Sequence, residues 1–284
     1  MEPSIEATTC NQQNTRPSAS KRPWESDFEE DQDEDNKPAS NGGLGTDDTL
    51  HVTKVLEEHG IHCCLVGISA LIFYGAGRVR PDWEICVPTE LVDKAADLLQ
   101  SDPYVQDYQL VESWPGYDPS LVNTYNRFKG KGIDYYFILV PSRDVHMVCE
   151  PSNFTRSLRS LPYPKLDVFI QSCLDMRNEL QLCDVVDGTD VSEQWGEDHL
   201  DLEGTNDVEW AQDLNKRGRE FAGGKFAHWA PFVPDAPKSK REMWQSKVHT
   251  KGDRLDWTKP KDVFVTQYRI IDTPDSWTEL SDMY

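Results

Sequence analysis

The residues of this chain best placed to do chemistry lie in one stretch, "LVGISALIFYGAGRVRPDWEICVP", from Leu65 to Pro88. Near its end Asp82 and Glu84 stand one residue apart in an apolar segment that reads as a strand. Alternate side chains of a strand share a face, so the two carboxylates project together while Trp83 and Ile85 project to the other side. Side by side, two carboxylates repel, and burying either alone is costly. A divalent cation turns that repulsion into affinity, since Mg²⁺ takes carboxylate oxygens, water and substrate phosphates. The plainer alternative is a solvated acid pair at a sheet end, matched by Arg78 and Arg80. At the head of the stretch, Gly67 closes one strand and opens a helix. There the backbone N–H groups and the Ser69 hydroxyl can approach an anion, as at helix N-termini that hold phosphate.

These residues need a scaffold, and the pattern around them supplies one. "DDTLHVTKVLEEHG" has Leu50, Val52, Val55 and Leu56 at helical spacing, an Asp cap ahead and Gly60 as its stop. "IHCCLV" reads as a strand, "GISALIFYGAG" as a short helix, "DWEICVP" as a second strand, and "TELVDKAADLLQ" as an amphipathic helix capped by Thr89. "YQLVES", "NTYNRFK" and "GIDYYFILVP" follow as strands. Alternating helices and strands of this kind predict an α/β (α+β) fold with a mixed sheet flanked by helices. Beyond Pro141, "PKLDVFIQSCLDMRNELQLCDVVDG" reads as helix ending at Gly188, and further helical segments follow to about residue 222. From Gly223 the chain is rich in Pro, Lys and Trp without periodicity, an irregular C-terminal tail. The expected organisation is therefore an acidic disordered tail over 1–46, a core over 47–145, a helical segment over 146–222 and the tail over 223–284.

Composition narrows the classes. The chain has 284 residues, an apolar fraction of 37% and a formal net charge of -21, with eight acids in "ESDFEEDQDEDN" alone. That block belongs to a segment too poor in apolar residues to fold by itself. Seven cysteines without a C-x-x-C pair fit a reducing compartment, cytoplasmic or nuclear, and make the sequon at Asn153 incidental. No apolar core of a signal peptide opens the chain, and no apolar run reaches the roughly 20 residues of a membrane span, so no membrane partner is expected. The histidines show no zinc-binding spacing, and no Ser or Cys lies in a nucleophile elbow. Twelve Lys or Arg between Lys216 and Lys261, mixed with Trp229, Trp244 and Trp257, suit either RNA binding or a tail that packs its aromatics on the domain.

Val66-Gly67-Ile68-Ser69, twelve intervening residues, then Asp82-Trp83-Glu84-Ile85 resembles the signature of the nucleotidyltransferase superfamily of the DNA polymerase beta type. Gly67, Ala70, Leu71, Tyr74, Gly75, Arg78, Asp82 and Glu84 are similar to the pattern of its minimal and AbiEii-type members, a look shared by fungal proteins of this fold. The resemblance covers about residues 47–190. It implies Mg²⁺- or Mn²⁺-dependent transfer of a nucleoside monophosphate from a nucleoside triphosphate to an RNA, protein or small-molecule acceptor. In that scheme Asp82, Glu84 and a third acid, Asp134, hold metal and carry catalysis, and Gly67, Ser69, Arg78 and Arg80 hold phosphates, with Lys129 and Lys131 near. Lys165, Arg177, Asp184 and Asp187 match the helical segment of the family or form structural ion pairs. Two departures stand out. Ile68 replaces a small residue, and Arg80 replaces Ser or Thr, where it either grips phosphate or pairs with Asp82 or Glu84. The second arrangement would leave a catalytically inactive binding or interaction module.

Overall fold

A computed structural model describes residues 40, 45–80, 82–112, 121–131, 135–221 and 233–258, the last four of these by backbone alone. The acidic N-terminal stretch, Asp134, Trp229 and the chain beyond residue 258 lie outside the described residues. The helices are α1 (Thr46–Glu58), α2 (Gly67–Phe73), α3 (Val92–Leu99), α4 (Leu166–Asp175), α5 (Glu179–Thr189), α6 (Glu193–His199), α7 (Val208–Phe221), α8 (Lys240–His249) and α9 (Lys251–Thr258). The strands are β1 (Cys64–Leu65), β2 (Trp83–Val87), β3 (Tyr108–Val111), β4 (Arg127–Gly130), β5 (Tyr136–Pro141), β6 (Phe154–Arg156) and β7 (Pro162–Pro164). β1 to β5 form a mixed sheet in the order β1-β2-β5-β4-β3, with β2 and β5 parallel and the other neighbours antiparallel. The expected mixed sheet flanked by helices is the architecture found.

The alternation of β2 sets the two faces of the sheet. Trp83, Ile85 and Val87 project to one side together with Phe137, Leu139 and Phe128, all buried, and α1 contributes Val52, Val55 and Leu56 to the same core. Tyr108 extends this layer toward β3 and binds His51 of α1 through its hydroxyl. Glu84 projects to the opposite side. Thr89 does not cap the following helix, contrary to its predicted role. A 3₁₀ turn over Thr89–Leu91 intervenes, and the Thr89 hydroxyl is engaged by Ser142 at 3.2 Å and by the Arg143 N–H at 3.0 Å. The chain thereby ties the ends of the parallel pair, β2 and β5, to each other. The predicted Asp cap of α1 is likewise spent elsewhere, because Asp48 accepts the Ser40 N–H and hydroxyl.

The helical segment breaks where one helix was expected. Arg177 adopts φ 53° and the Asn178 side chain accepts the Gln181 N–H, so α4 ends and a newly capped α5 begins. Gly188 lies inside α5, which stops at Asp190 in the left-handed region, φ 53°. Its role is close approach: a Cβ there would stand 2.6 Å from the Tyr74 carbonyl oxygen and 2.8 Å from the Ala76 nitrogen. α5 therefore rests directly on the loop leading from α2 to β2. Two nearly parallel hydrogen bonds of 2.8 Å from Arg78 to Asp184 fasten the same loop. The Tyr74 hydroxyl donates to the Pro164 carbonyl at 2.6 Å.

The segment from Gly223 is not irregular throughout, as α8 and α9 show. Ser239 caps α8 by accepting the Glu242 N–H, and Trp244 is 0% exposed. Its indole lies on Gly196 of α6, where a Cβ would meet the ring at 2.2 Å. Arg254 reaches back from α9 to Asp187 with bonds of 3.0 and 2.7 Å. One large aromatic and one charge pair thus fix helices whose own periodicity is weak. Replacing Gly196 by Ala should lower stability by about 3 kcal/mol or more, since ring and backbone must both yield. Gly252→Ala, with nothing within 4 Å, should leave stability unchanged or raise it by up to ~1 kcal/mol. Urea unfolding of the two variants checks the contrast.

Candidate functional site

β1 ends at Leu65, and the Val66 N–H pairs with the Glu84 carbonyl at 3.0 Å, which draws the start of α2 across β2. The next residue, Gly67, has φ 59°, a left-handed conformation that costs other residues about 1–2 kcal/mol. Its Cα faces the Glu84 carboxylate so closely that a Cβ would stand 2.5 Å from Oε2 and 2.9 Å from Oε1. Glycine is required here twice over, for its dihedral and for its missing side chain. The sequence pattern anticipated this glycine as a phosphate turn. What the structure shows is that this glycine makes room for an acid.

Burial is the main force on Glu84, and the charge of Asp82 adds to it. Together they raise its pKa from the ordinary 4.5 to about 7. Asp82 is anchored differently, its Oδ1 accepting the Tyr136 N–H at 3.1 Å at the start of β5. Neither carboxylate has an ion pair among the described residues. Among the described residues Arg80 forms no ion pair with either acid; its guanidinium lies over the Trp83 ring, 3.2 Å from the centroid. Arg78 is committed to Asp184. Ser69 is 2% exposed and its hydroxyl has no hydrogen-bond partner among the described residues.

A cleft of about 710 Å³ opens onto Glu84, with Gly67 and Ile68 on one wall and Tyr125, Asp144 and Trp210 on others. Asp82, Ser69, Arg78 and Arg80 do not line it. Asp144 and its partners carry no signal in the sequence. The acid is nearly inaccessible, held by Arg217 of α7 at 2.6 and 3.1 Å and by the Tyr125 hydroxyl at 2.6 Å. Burial and the Asp144 charge push the Tyr125 phenol well up, keeping it a neutral donor. Arg217 lies 73 residues from Asp144, too far for any local motif to announce the pair.

The oxygens of Asp82 and Glu84 are the donor type that Mg²⁺ and Mn²⁺ take, and the mutual repulsion that raises Glu84 is what a cation relieves. Among the described residues no group of three or more His, Cys, Asp or Glu side chains is placed to share one ion. The two acids fit a hard cation in chemistry; Asp134, the third acid expected from the sequence, lies outside the described residues. Of the ion pairs weighed for the helical segment, Asp184 and Asp187 each form one, to Arg78 and Arg254, and Arg177 meets Glu179.

No family model matches the chain, and no curated protein matches it. Among solved structures, JHP933 from Helicobacter pylori is similar at 11% identity, over 77% of this chain and 95% of that one, with a TM-score of 0.33. Terminal uridylyl transferase 4 from Trypanosoma brucei with bound GTP is similar at 11% identity, over 82% of this chain and 60% of that one, with a TM-score of 0.28. Both scores fall below the similarity at which two chains are taken to share a fold.

The raised pKa of Glu84 has a sign that stability measurements can read. Between pH 4.5 and about 7 the folded chain keeps a proton on Glu84 that the unfolded chain releases, so this group's contribution weakens as pH rises through that window. Glu84→Gln should therefore stabilise the protein at pH 8, by about 3 kcal/mol at most, and much less at pH 5. Thermal melts of both proteins at the two pH values test it; an equal effect at both would show that Glu84 titrates normally.

Proposed function

We propose that this chain is a nucleotidyltransferase-like domain. It transfers a nucleoside monophosphate from a nucleoside triphosphate to an acceptor hydroxyl. The observation that carries the reading is the Glu84 carboxylate, pressed against a left-handed Gly67 at the edge of a cleft, one residue from Asp82 and without an ion pair among the described residues. A merely structural acid would be expected to find an arginine, as Asp144, Asp184 and Asp187 do. The buried Ser69 hydroxyl, without a hydrogen-bond partner among the described residues, supports a polar ligand at the same turn.

In this reading Asp82 and Glu84, with Asp134, hold Mg²⁺ or Mn²⁺, which when bound neutralises the triphosphate and the developing charge. Gly67 leaves the backbone open to phosphate oxygens, and Ser69 donates to them. The acceptor oxygen forms a bond to the α-phosphorus. The bond from that phosphorus to the bridging oxygen breaks, pyrophosphate leaves with the electron pair, and the hydroxyl proton passes to Asp134. Arg78 and Arg80 play supporting parts, the first by pinning the α2–β2 loop to α5 and the second by packing on Trp83.

Isothermal titration with ATP tests the reading. Binding should require Mg²⁺ or Mn²⁺, strengthen as pH rises past 7 and Glu84 gives up its proton, and fall at least about tenfold in Asp82→Asn. Binding that ignores both the metal and the substitution would instead make the domain a catalytically silent binding module.

A further inference from the structure

Strand register puts two cations opposite the two acids. Ile138 on β5 is the partner of Glu84 on β2 and also of Arg127 on β4, so these three side chains form one row on one face of the sheet. Two residues earlier on β5, Tyr136 pairs with Lys129 on β4 while its N–H holds Asp82. Asp82, Tyr136 and Lys129 are the adjoining row. Acids on β2 and cations on β4 are thus separated by the width of two strand spacings, about 10 Å at the backbone.

Neither cation has an ion pair among the described residues. The Arg127 Nε is buried without a hydrogen-bond partner, and its guanidinium stands 5.3 Å from the centroid of the Tyr136 ring. Lys129 is exposed. Shortage of acids is not the reason, because the chain has 50 Asp and Glu against 29 Lys and Arg. Arg156, Arg217, Arg241 and Arg254 all meet carboxylates. A buried guanidinium N–H left unmatched costs free energy that an oxyanion repays, with the planar fork suited to phosphate.

Sheet order says which phosphate. Gly67 and Ser69 follow β1, on one side of β2, whereas β4 lies on the other side beyond β5. In phosphoryl transfer the entering and leaving oxygens stand roughly in line on opposite sides of the phosphorus. We propose that Arg127 and Lys129 seat the terminal phosphates of a single-stranded nucleic-acid acceptor, bringing its end hydroxyl toward Asp82 and Glu84. The sidedness rests on the nucleotidyltransferase reading; the phosphate seat itself rests on the unmatched cations.

The test uses the full chain and the variant Arg127→Gln/Lys129→Gln, with a short fluorescein-labelled oligoadenylate followed by anisotropy across salt, and ATP with Mg²⁺ followed by calorimetry. The variant should melt as the parent does and bind oligoadenylate about tenfold or more weakly. Its log-log salt slope should fall by about 1.4, two contacts of ~0.7 each, and ATP affinity should be kept. Unchanged oligoadenylate binding in the variant, or none in the parent, overturns the proposal. Loss of ATP binding in the variant also overturns it, since the cations would then serve the donor. Should the parent bind oligoadenylate through these residues but no ATP with any metal, the phosphate seat stands and the nucleotidyltransferase reading falls.

Discussion

Burial of the Glu84 carboxylate, with the charge of Asp82 close by, is the constraint on which the site depends. In water the two carboxylates would cost each other little. At a sheet face closed by Gly67, burial and the neighbouring Asp82 push the pKa of Glu84 up to about 7. α5 lies against the loop before β2 through Gly188, Arg78 clamps it through Asp184, and Thr89 with Ser142 binds the far ends of β2 and β5.

The distribution of arginines follows from the same constraint. A strongly acidic chain has few cations to distribute, and this one sends them over long sequence distances to individual buried acids: Arg217 to Asp144, Arg78 to Asp184 and Arg254 to Asp187. Each pair joins two elements that share no backbone hydrogen bonds, so it fixes their relative position besides neutralising charge. Against that pattern, Asp82 and Glu84 have no arginine partner, and Arg127 and Lys129 no carboxylate partner, among the described residues. On the reading proposed above, the acids suit a cation brought by the ligand and the cations suit an anion.

Local pattern revealed the elements whose causes are local. The period-two run of Trp83 to Val87, the β-branched and aromatic run of Tyr136 to Pro141, and the amphipathic stripe of α1 could all be read from side-chain order. So could the pairing of Gly67 with an acid strand, because the spacing itself is the signal. Boundaries set by tertiary contact could not. Gly188 looks like a helix stop, yet it is placed by the Tyr74–Ala76 backbone against it, and the true stop is Asp190. Thr89 looks like a cap, yet its hydroxyl finds Ser142 and Arg143, 53 and 54 residues away. α8 has scarcely any periodicity to read, and what holds it is one indole against Gly196.

The same distinction explains why Asp82 and Glu84 draw notice in the sequence and Arg127 does not. Asp82 and Glu84 are visible because two acids in an apolar strand violate the local rule, and violations of local rules gather at functional positions. Arg127 breaks no such rule; an arginine next to an aromatic in a short strand is ordinary. Only the register, Glu84 to Ile138 to Arg127, shows that it shares a face with the acids, and register across a parallel pair is fixed by the whole sheet rather than by any window of sequence. Charge stands opposite charge across two strands, with a tyrosine and an isoleucine between. On the proposal above, a metal-bound polyphosphate donor would satisfy one end and the backbone phosphate of a separate acceptor the other.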